Sequence, residues 1–309
     1  MKKPTVYVAL QQFCGENEAP LKLLTETGFN VKRNTLGRRL KREELPEILA
    51  GADAVLAGLE PYDAKTLAAL PKLRCISRCG VGTDSIDLEA AKRRGIAVRV
   101  TREETIEPVA QMTVAMILAL ARNFPMHYAD FHAGLWVKRT GCLISDWTIG
   151  LVGFGRIGRC VAALLHAFGA RILLHDPRFL DGTLPPGTRS GALEDLLSGC
   201  DLISLHADSR AQDGPLLGKK EFAAMKKGAY LVNTARGHLV DEKALYEALK
   251  SGHLAAAAID VYTAEPYEGD LAKLPQVLAT PHVSTLTRSS RAAMELSCAR
   301  NVVEFFQKK

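Results

Sequence analysis

The sequence predicts an α/β protein built from two doubly wound lobes with parallel sheets. Short runs of β-branched residues alternate with Ala-, Leu- and Glu-rich periodic stretches, a rhythm typical of parallel α/β folds. The rhythm breaks after Val100, where a long apolar stretch follows, and it resumes at Thr148. A length of 309 residues also suits two domains at about 150 residues each. Together these observations favour two lobes over one.

The first series predicts five strands and four helices. The strands are expected at Thr5–Leu10, Val31–Asn34, Ala54–Ala57, Arg74–Ser77 and Ile96–Arg99. The helices are expected at Glu18–Thr27, Glu43–Ala50, Ala64–Ala69 and Asp87–Arg94. A longer apolar helix, Val109–Arg122, follows them. Pro108 lies near its start, where the missing N–H of proline costs little.

The second series has the same character. Its strands are expected at Thr148–Val152, Arg171–Asp176, Leu202–His206, Tyr230–Asn233, Ala255–Asp260 and Val277–Ala279, and its helices at Arg156–Phe168 and Glu242–Lys250. A last helix is predicted over Arg288–Phe306, where apolar residues recur at helical spacing. This helix is too short to form a domain, so we expect it to dock on one of the lobes.

Composition and charge exclude several classes of protein. With 47% hydrophobic and 24% charged residues the chain is not disordered, and no apolar run reaches the ~18 residues of a membrane span. The N-terminal stretch turns polar at Gln11, too early for a secretory signal. The net charge of +6 is spread out, with 37–42 as the only dense basic run, which argues against nucleic-acid binding. We therefore expect a cytoplasmic protein with no membrane segment.

The seven cysteines show no CxxC pair and no zinc spacing. Their odd number and scattered positions predict reduced thiols, most of them buried, in a reducing compartment. No metal site is expected.

The strongest local signal is the segment TIGLVGFGRIGR at 148–159. Gly153, Gly155 and Gly158 form a GxGxxG motif between a predicted strand and a predicted amphipathic helix, and Asp176 stands 18 residues beyond the last of these glycines. In such a turn the glycines allow a tight bend, close approach of a pyrophosphate and close helix–strand packing. The helix N-terminus attracts the phosphates. A carboxylate at Asp176 would bind the ribose hydroxyls and repel a 2′-phosphate, so NAD is predicted rather than NADP.

Three polar residues follow later predicted strands. Arg236, Glu265 and His282 could each have an ordinary role, as a surface arginine, a turn residue and a loop histidine. Behind a dinucleotide-binding unit they fit one reaction, hydride transfer between a nicotinamide and a 2-hydroxy or 2-keto acid. Arginine would hold the substrate carboxylate and carbonyl, histidine would exchange the hydroxyl proton, and the carboxylate would orient the imidazole.

With these residues in place, the chain resembles the D-isomer-specific 2-hydroxyacid dehydrogenase family, most closely its phosphoglycerate dehydrogenase branch. The matching segments, in the family's order, are RCGVGTDSIDLEAA (78–91), VAQMTVAMILALAR (109–122), GLVGFGRIGR (150–159), SLHADS (204–209), VNTARGHLVDEKAL (232–245), AAIDVYTAEP (257–266) and TPHVSTLT (280–287). They are spread over residues 78 to 287, so the resemblance is specific.

The resemblance implies roles for particular residues. Arg236, Glu265 and His282 are the expected catalytic residues, and Arg78, Val81 and Gly82 are expected to bind the substrate together with Arg236 and His282. The expected NAD contacts are Gly153, Gly155, Arg156, Ile157, Gly158, Asp176, His206, Ala207, Thr234, Ala235 and Asp260. Val81 and Gly82 would offer backbone N–H groups to the substrate carboxylate.

The resemblance also implies a discontinuous domain arrangement. A Rossmann cofactor domain, residues 102–284, is expected to be inserted into a flavodoxin-like substrate domain made of residues 1–101 and a closing helix at 285–309. The family further implies a homodimer formed through the cofactor domain, with the region around Val109–Leu135 reaching across. No regulatory domain is expected after the closing helix.

The substrate is predicted only as a small anionic 2-hydroxy or 2-keto acid. 3-Phosphoglycerate is one candidate, but Ala57 stands where some phosphoglycerate dehydrogenases carry an arginine for the phosphate. Arg78, Arg38 or Arg39, and Lys138 or Arg139 of a neighbouring subunit, could supply that charge instead. The alternative function is an NAD-sensing binding protein of the corepressor type on the same fold. An NAD enzyme without hydride transfer to substrate, such as an S-adenosylhomocysteine hydrolase, should lack the ordered Arg–Glu–His set.

Overall fold

The computed structural model describes residues 3–178, 184–208 and 214–307. Over these residues it contains twelve strands and eleven α-helices. The strands are β1 (Thr5–Val8), β2 (Asn30–Arg33), β3 (Ala54–Ala57), β4 (Cys75–Arg78), β5 (Ala97–Val100), β6 (Thr148–Val152), β7 (Arg171–His175), β8 (Thr188–Ser190), β9 (Leu202–Leu205), β10 (Ala229–Asn233), β11 (Leu254–Ile259) and β12 (Val277–Ala279). The helices are α1 (Ala19–Glu26), α2 (Leu45–Ile48), α3 (Ala64–Ala68), α4 (Leu88–Arg93), α5 (Ile106–Ala121), α6 (Phe124–His132), α7 (Arg156–Ala167), α8 (Leu193–Gly199), α9 (Lys219–Ala224), α10 (Glu242–Lys250) and α11 (Arg288–Gln307).

The fold class predicted from the sequence is confirmed, and every predicted strand and helix is present with ends that differ by a few residues. Four elements were missed: α6, β8, α8 and α9. Helix α6 buries none of its residues, so its apolar positions give no one-sided pattern. The other three are short, and β8 has only three residues, Thr-Arg-Ser.

The chain divides into two compact units. Unit 1 comprises Met1–Thr105 and Thr285–Lys309, and unit 2 comprises Ile106–Ser284. Unit 1 is therefore built from both ends of the chain, and unit 2 is the continuous segment between them.

Unit 1 is a five-stranded parallel sheet in the order β2-β1-β3-β4-β5, the flavodoxin-like order. Alternate residues of its strands pack on opposite faces. Helices α1 and α11 cover the face that carries Val6, Val8 and Cys75. Helices α2, α3 and α4 cover the other face, around Val55 and Ile76. This arrangement leaves the loops at the carboxyl ends of the strands as one edge of the unit.

Unit 2 is a seven-stranded parallel sheet in the order β12-β11-β10-β9-β6-β7-β8. The chain starts at β6 and winds first to one side and then to the other, so the order reverses beside β6, as in Rossmann folds. Helices α5 and α7 pack on one face, and α8, α9 and α10 contribute to the core on the other. Ligands of such sheets bind at the carboxyl ends of strands beside the reversal.

One helical stretch, Glu103–Ala121, is long and apolar enough to cross a membrane by length and composition alone. Of the 18-residue apolar window in that stretch 56% is buried, and Ile117 and Leu120 lie in the unit 2 core with residues of α7. Its apolar character is thus used in packing.

Candidate active site

The glycine-rich turn between β6 and α7 is tightly packed at two of its three glycines. Gly153 has a φ of +99°, and a Cβ there would lie 2.6 Å from backbone atoms of His206 and Ala207. A Cβ on Gly158 would overlap the carbonyl oxygen of Gly153. Both positions require glycine for packing. At Gly155, in contrast, a Cβ would meet no described protein atom within 4 Å, so packing does not require glycine there.

The turn fits the pyrophosphate of a dinucleotide. Gly155 occupies the N-cap of α7 and provides no side-chain cap, while Arg156 and Ile157 are the first two helical residues. The N–H groups of a first helical turn carry partial positive charge and attract anions. Because Gly155 has no side chain, a phosphate can approach these N–H groups closely. This explains why a glycine stands at 155, where packing does not require one.

Asp176, directly after β7, closes the turn from the other side. Its Oδ2 accepts the N–H of Phe154 at 2.8 Å, and its Oδ1 accepts the N–H of Arg178 at 2.9 Å. Burial acts to raise the pKa of Asp176, but these two backbone N–H groups, together with nearby positive charge, outweigh it, so the pKa lies below its ordinary value. Asp176 is therefore an ionised carboxylate, and each oxygen has a further lone pair for a hydroxyl donor.

His206, directly after β9, is neutral at neutral pH. Its backbone N–H donates to the carbonyl of Val152 at 2.7 Å, and its Nε2 lies 2.9 Å from the hydroxyl of Ser204. Burial lowers the pKa of His206 to about 4. Ala207 continues this segment against Gly153, while Ser209, the end of the SLHADS motif, lies outside the described residues.

Thr234, the first residue after β10, is buried and bound to α5. Its hydroxyl lies 2.7 Å from the hydroxyl of Thr113, which in turn lies 2.8 Å from the carbonyl oxygen of Val109. A threonine hydroxyl has one proton, and Thr113 gives it to that carbonyl. Thr234 is therefore the donor between the two hydroxyls, and its own oxygen can still accept a bond.

The loop after β10 holds Arg236. Asn233 accepts the N–H of Ala235 at 3.0 Å and donates from Nδ2 to the carbonyl of Arg236 at 2.9 Å. The Arg236 Nη1 donates to the carbonyl of Ala235 at 2.7 Å. A Cβ on Gly237 would overlap the backbone of Tyr262, so this loop lies directly against the loop that follows β11. The contact fixes the arginine loop relative to the segment that carries Glu265.

Asp260, the first residue after β11, is fully buried and its carboxylate accepts four hydrogen bonds. Oδ1 accepts from the hydroxyl of Thr280 at 2.6 Å and the N–H of Val283 at 2.9 Å. Oδ2 accepts from the N–H and the hydroxyl of Ser284 at 3.0 and 2.5 Å. All four donors belong to the loop at 280–284. Asp260 thus anchors this loop, whereas its contact with a cofactor stays a prediction.

His282 stands in the middle of the loop that Asp260 anchors. It has a left-handed φ of +54°, and its Nδ1 lies 3.0 and 2.9 Å from the two carboxylate oxygens of Glu265. Glu265 Oε1 also accepts the N–H of Tyr262 at 3.2 Å. Because an ionised carboxylate only accepts hydrogen bonds, Nδ1 carries the proton. Nε2 is then the atom that can take up or release a second proton.

The site is assembled at one edge of the unit 2 sheet. The fingerprint turn, Asp176, His206, Thr234, Asp260 and the His282 loop each follow the carboxyl end of a strand in one continuous row, from β12 to β7. The predicted catalytic residues and NAD contacts are therefore brought to one edge, although they are spread over 130 residues of sequence. Among the described residues no group of three or more His, Cys, Asp and Glu could hold a metal.

The predicted substrate residues of unit 1 lie at the carboxyl end of β4. Arg78 is the last residue of that strand, and its guanidinium turns onto the following loop, where Nε donates to the carbonyl of Gly82 at 3.1 Å and Nη1 to that of Cys79. Val81 is exposed. Arg78 thus binds its own loop, and its contact with substrate stays a prediction.

A family model described as D-isomer specific 2-hydroxyacid dehydrogenase, NAD binding domain, matches residues 114–284. The chain belongs to this family. The matched segment lies within unit 2 and contains every residue of the sheet-edge site, including Arg236, Glu265 and His282.

Comparison with individual relatives supports the same family membership. The chain is 37% identical over 263 residues to the D-3-phosphoglycerate dehydrogenase of Mycobacterium leprae (strain TN), covering 83% of this chain and 50% of the relative. It thus spans about half the length of the phosphoglycerate dehydrogenases it matches. It is 37% identical over 314 residues to the glyoxylate reductase of Thermofilum pendens, covering 98% and 91%. The crystal structure of the TT0316 protein of Thermus thermophilus has a TM-score of 0.88, with 35% identity over 99% of this chain and 97% of that one.

The sequence analysis did not identify the side chains that hold the loops of this site together. Asn233 orders the Arg236 loop, and the Tyr262 hydroxyl lies 3.1 Å from each of the carbonyls of Ile259 and Thr280, which it ties together. Both residues stand inside the segments used for the resemblance, so their positions were visible although their roles were not. Thr113 stands inside one of these segments too, but nothing in it indicates that its hydroxyl meets that of Thr234.

Proposed function

We propose that this protein is an NAD-dependent D-2-hydroxyacid dehydrogenase, which transfers a hydride between NAD(H) and a small 2-hydroxy or 2-keto acid. The observation that carries the proposal is the Glu265–His282 pair, with an N–O distance of 2.9 Å, on the same sheet edge as Arg236 and the dinucleotide turn. A histidine that is held through Nδ1 and can exchange a proton at Nε2 is the acid–base group that this reaction requires.

NAD fits the turn better than NADP. Asp176 is held ionised by two backbone N–H groups, so it favours ribose hydroxyls as donors and opposes a 2′-phosphate. Arg178 follows closely, with its Nε 3.7 Å from Asp176, but this side chain is 70% exposed. A water-exposed ion pair of this length contributes little, so the carboxylate dominates the local charge.

The residues of the site divide the reaction between them. The nicotinamide ring, when bound, supplies or accepts the hydride. Arg236 would hold the substrate carboxylate and polarise its carbonyl oxygen through the fork of its guanidinium. During reduction, His282 would donate a proton from Nε2 to that oxygen, and during oxidation it would take the proton back. Glu265 fixes the ring through Nδ1, so that Nε2 keeps its direction throughout.

We propose a small 2-keto acid without a phosphate as the substrate, because three of the five candidate cations for a phosphate are engaged by other groups of the protein; Arg39 and Lys138 are the other two. Of the cations that could bind a phosphate, Arg38 is bound by Glu44 through two hydrogen bonds of 2.9 and 2.5 Å. Arg139 is bound to Asp130 through Nε and Nη2 at 2.9 and 2.8 Å. Arg78 is engaged by its own loop. Phosphohydroxypyruvate is the alternative that a substrate panel must include.

The proposal is tested by following NADH absorbance with glyoxylate, hydroxypyruvate, pyruvate, phosphohydroxypyruvate and branched 2-keto acids. We expect turnover of at least one unphosphorylated acid and a loss of about 100-fold or more in His282→Ala, since general acid–base catalysis contributes roughly that much. NADH binding, measured by fluorescence titration, should be retained in this variant. The matched control is His253→Ala, a histidine of the same unit that binds the carbonyl of Met225.

Two outcomes would contradict the proposal. Unchanged turnover in His282→Ala would show that this histidine is not the acid–base group of the reaction. NADH binding by the wild-type protein, with no turnover of any acid in the panel and capture of a defined peptide, would favour the corepressor-type binding protein.

We further propose that the protein forms a homodimer in the cytoplasm through unit 2. Helix α6 and the segment after it expose an apolar surface, which we name the α6 patch, formed by Phe124, Tyr128, Phe131, Leu135 and Trp136 with exposures of 53–80%. Contiguous apolar surfaces of this kind are usually covered by a partner. A second copy of the chain is the occupant implied by the family resemblance.

Sedimentation equilibrium tests the dimer. The wild-type protein should have the mass of two chains, and Trp136→Glu should shift it toward one chain. Phe168→Glu is the control, because Phe168 is an exposed aromatic residue of unit 2 that lies outside the α6 patch. A monomeric wild type, or an equal effect of both substitutions, would refute the assignment of this surface.

A further inference from the structure

In the loop that follows β4, some backbone N–H and carbonyl groups are hydrogen-bonded within the described part of the protein and two adjacent N–H groups are not. Gly80 donates its N–H to the hydroxyl of Thr101 at 2.7 Å and to the carbonyl of Arg78 at 3.0 Å, and its own carbonyl accepts the N–H of Thr101 at 3.0 Å. Within residues 3–178, 184–208 and 214–307, the N–H groups of Val81 and Gly82 have no protein acceptor. The loop therefore presents two adjacent donors that nothing in the described protein satisfies.

The carbonyl side of the same loop is bound by Arg78. Its Nε donates to Gly82 and its Nη1 to Cys79, so one planar guanidinium spans both ends of the turn. The guanidinium lies directly over Gly80, where a Cβ would overlap Nη1 and lie 2.7 Å from Cζ. Gly80 also has a φ of +140°, a region that L side chains rarely adopt. The glycine and the arginine thus form one packed element.

The charge of Arg78 also acts on a buried carboxyl group, that of Glu60. Glu60 is 2% exposed, and its carboxylate accepts the N–H of Gly58 at 2.7 Å. Burial raises the pKa of Glu60, while the positive charges of Arg39 and Arg78 act in the opposite direction. The charge of Arg78 thus favours the ionised form of the Glu60 carboxyl group, although burial has the larger effect on its pKa.

From this geometry we infer that Arg78 is a positioning residue: it binds the carbonyls of Cys79 and Gly82 and so holds the Val81 and Gly82 N–H groups in place for the carboxylate of the substrate. The inference rests on the proposed function, because it assumes that this loop receives the acid. It differs from the expectation that Arg78 itself touches the substrate.

The first test needs no substrate. Hydrogen exchange followed by mass spectrometry is measured on the substrate-free protein for the peptide that contains residues 79–84. Arg78→Met keeps the length of the aliphatic chain but removes the fork, and we expect exchange in this peptide to rise by about tenfold as the loop opens locally. Arg99→Met is the matched control, since Arg99 stands on the neighbouring strand β5 and forms a partly exposed ion pair with Glu304.

The second test separates positioning from direct contact. In Arg78→Met we expect the KM for the best 2-keto acid to rise by about tenfold, the order of a lost charge-assisted hydrogen bond, with kcat changed by less than about threefold and NADH affinity unchanged. Arg78→Lys should not rescue KM, because a point charge cannot span two carbonyls. A direct ion pair with the substrate would be largely retained by lysine.

Unchanged exchange at residues 79–84 in Arg78→Met would overturn the loop contact. Rescue of KM by Arg78→Lys would overturn positioning in favour of direct contact. If the wild-type protein reduces no acid in the panel, the proposed function has failed and the substrate role with it, while the exchange data still decide whether Arg78 orders the loop.

Discussion

Replacing Asp260 by asparagine removes one acceptor oxygen at a place where four donors converge. In either orientation of the amide, one side of the side chain becomes an NH2 group that faces two donors, one a hydroxyl and the other a backbone N–H. The hydroxyl of Thr280 or Ser284 can rotate and accept from the amide. The backbone N–H of Val283 or Ser284 cannot, so one buried donor is orphaned.

The loss of stability can be estimated from this one unsatisfied N–H group. An unsatisfied buried donor costs about 1–3 kcal/mol, and the bonds that remain lose the extra strength of a charged acceptor. We therefore expect Asp260→Asn to lower the free energy of unfolding of unit 2 by about 3 kcal/mol. Because the orphaned N–H lies within two residues of His282, kcat for keto-acid reduction should fall by about tenfold or more, as expected when a catalytic group is displaced.

Urea unfolding followed by tryptophan fluorescence is a suitable assay, because both tryptophans, Trp136 and Trp147, lie in unit 2. Asp241→Asn is the matched control. Asp241 caps α10 and accepts two N–H groups through the single oxygen Oδ1, an arrangement that asparagine can reproduce. Equal stabilities of Asp260→Asn and Asp241→Asn would refute the role of Asp260 as the anchor of the 280–284 loop.

Two further predictions concern the same sheet edge. The pKa of His206 is about 4 in the folded protein against 6.5 ordinarily, so the unfolded chain binds a proton that the folded chain does not, and stability should fall by about 3 kcal/mol as pH drops from 6.5 to 4. Urea unfolding across this range should show a weaker acid dependence in His206→Asn, and an unchanged slope would contradict the shift. Gly237→Ala places a Cβ against the Tyr262 backbone and should destabilise unit 2 by about 1–3 kcal/mol. The same assay should show no such loss for Gly199→Ala, whose Cβ meets nothing within 4 Å, and equal losses would contradict the packing argument.

The parts of the site that the sequence predicted well are those with a local chemical requirement. Gly153 and Gly158 are needed because the backbone approaches them closely, and Asp176 because a carboxylate must stand at the end of β7. The order of motifs along a parallel sheet then placed Arg236 and His282 at one edge. Each of these inferences needs only spacing and residue type.

The parts that the sequence did not predict depend on contacts between distant segments. The donors on Asp260 come from 20 to 24 residues further along the chain, so its role as an anchor is not visible in its own motif. The direction of the Arg78 side chain is equally hidden, since an arginine at the end of a strand can reach outward or turn back. Helix α6 was missed because its apolar residues face outward rather than toward the core of its own chain.

The composition of unit 1 from both ends of the chain has a consequence for synthesis. Helix α11 fills one side of the unit 1 core with Met294, Cys298 and Val302, against strands that are made more than 200 residues earlier. Unit 2, residues 106–284, is synthesised completely before α11 is translated. Unit 2 can therefore fold before unit 1 is complete, while residues 1–105 keep part of one apolar face uncovered until α11 is made.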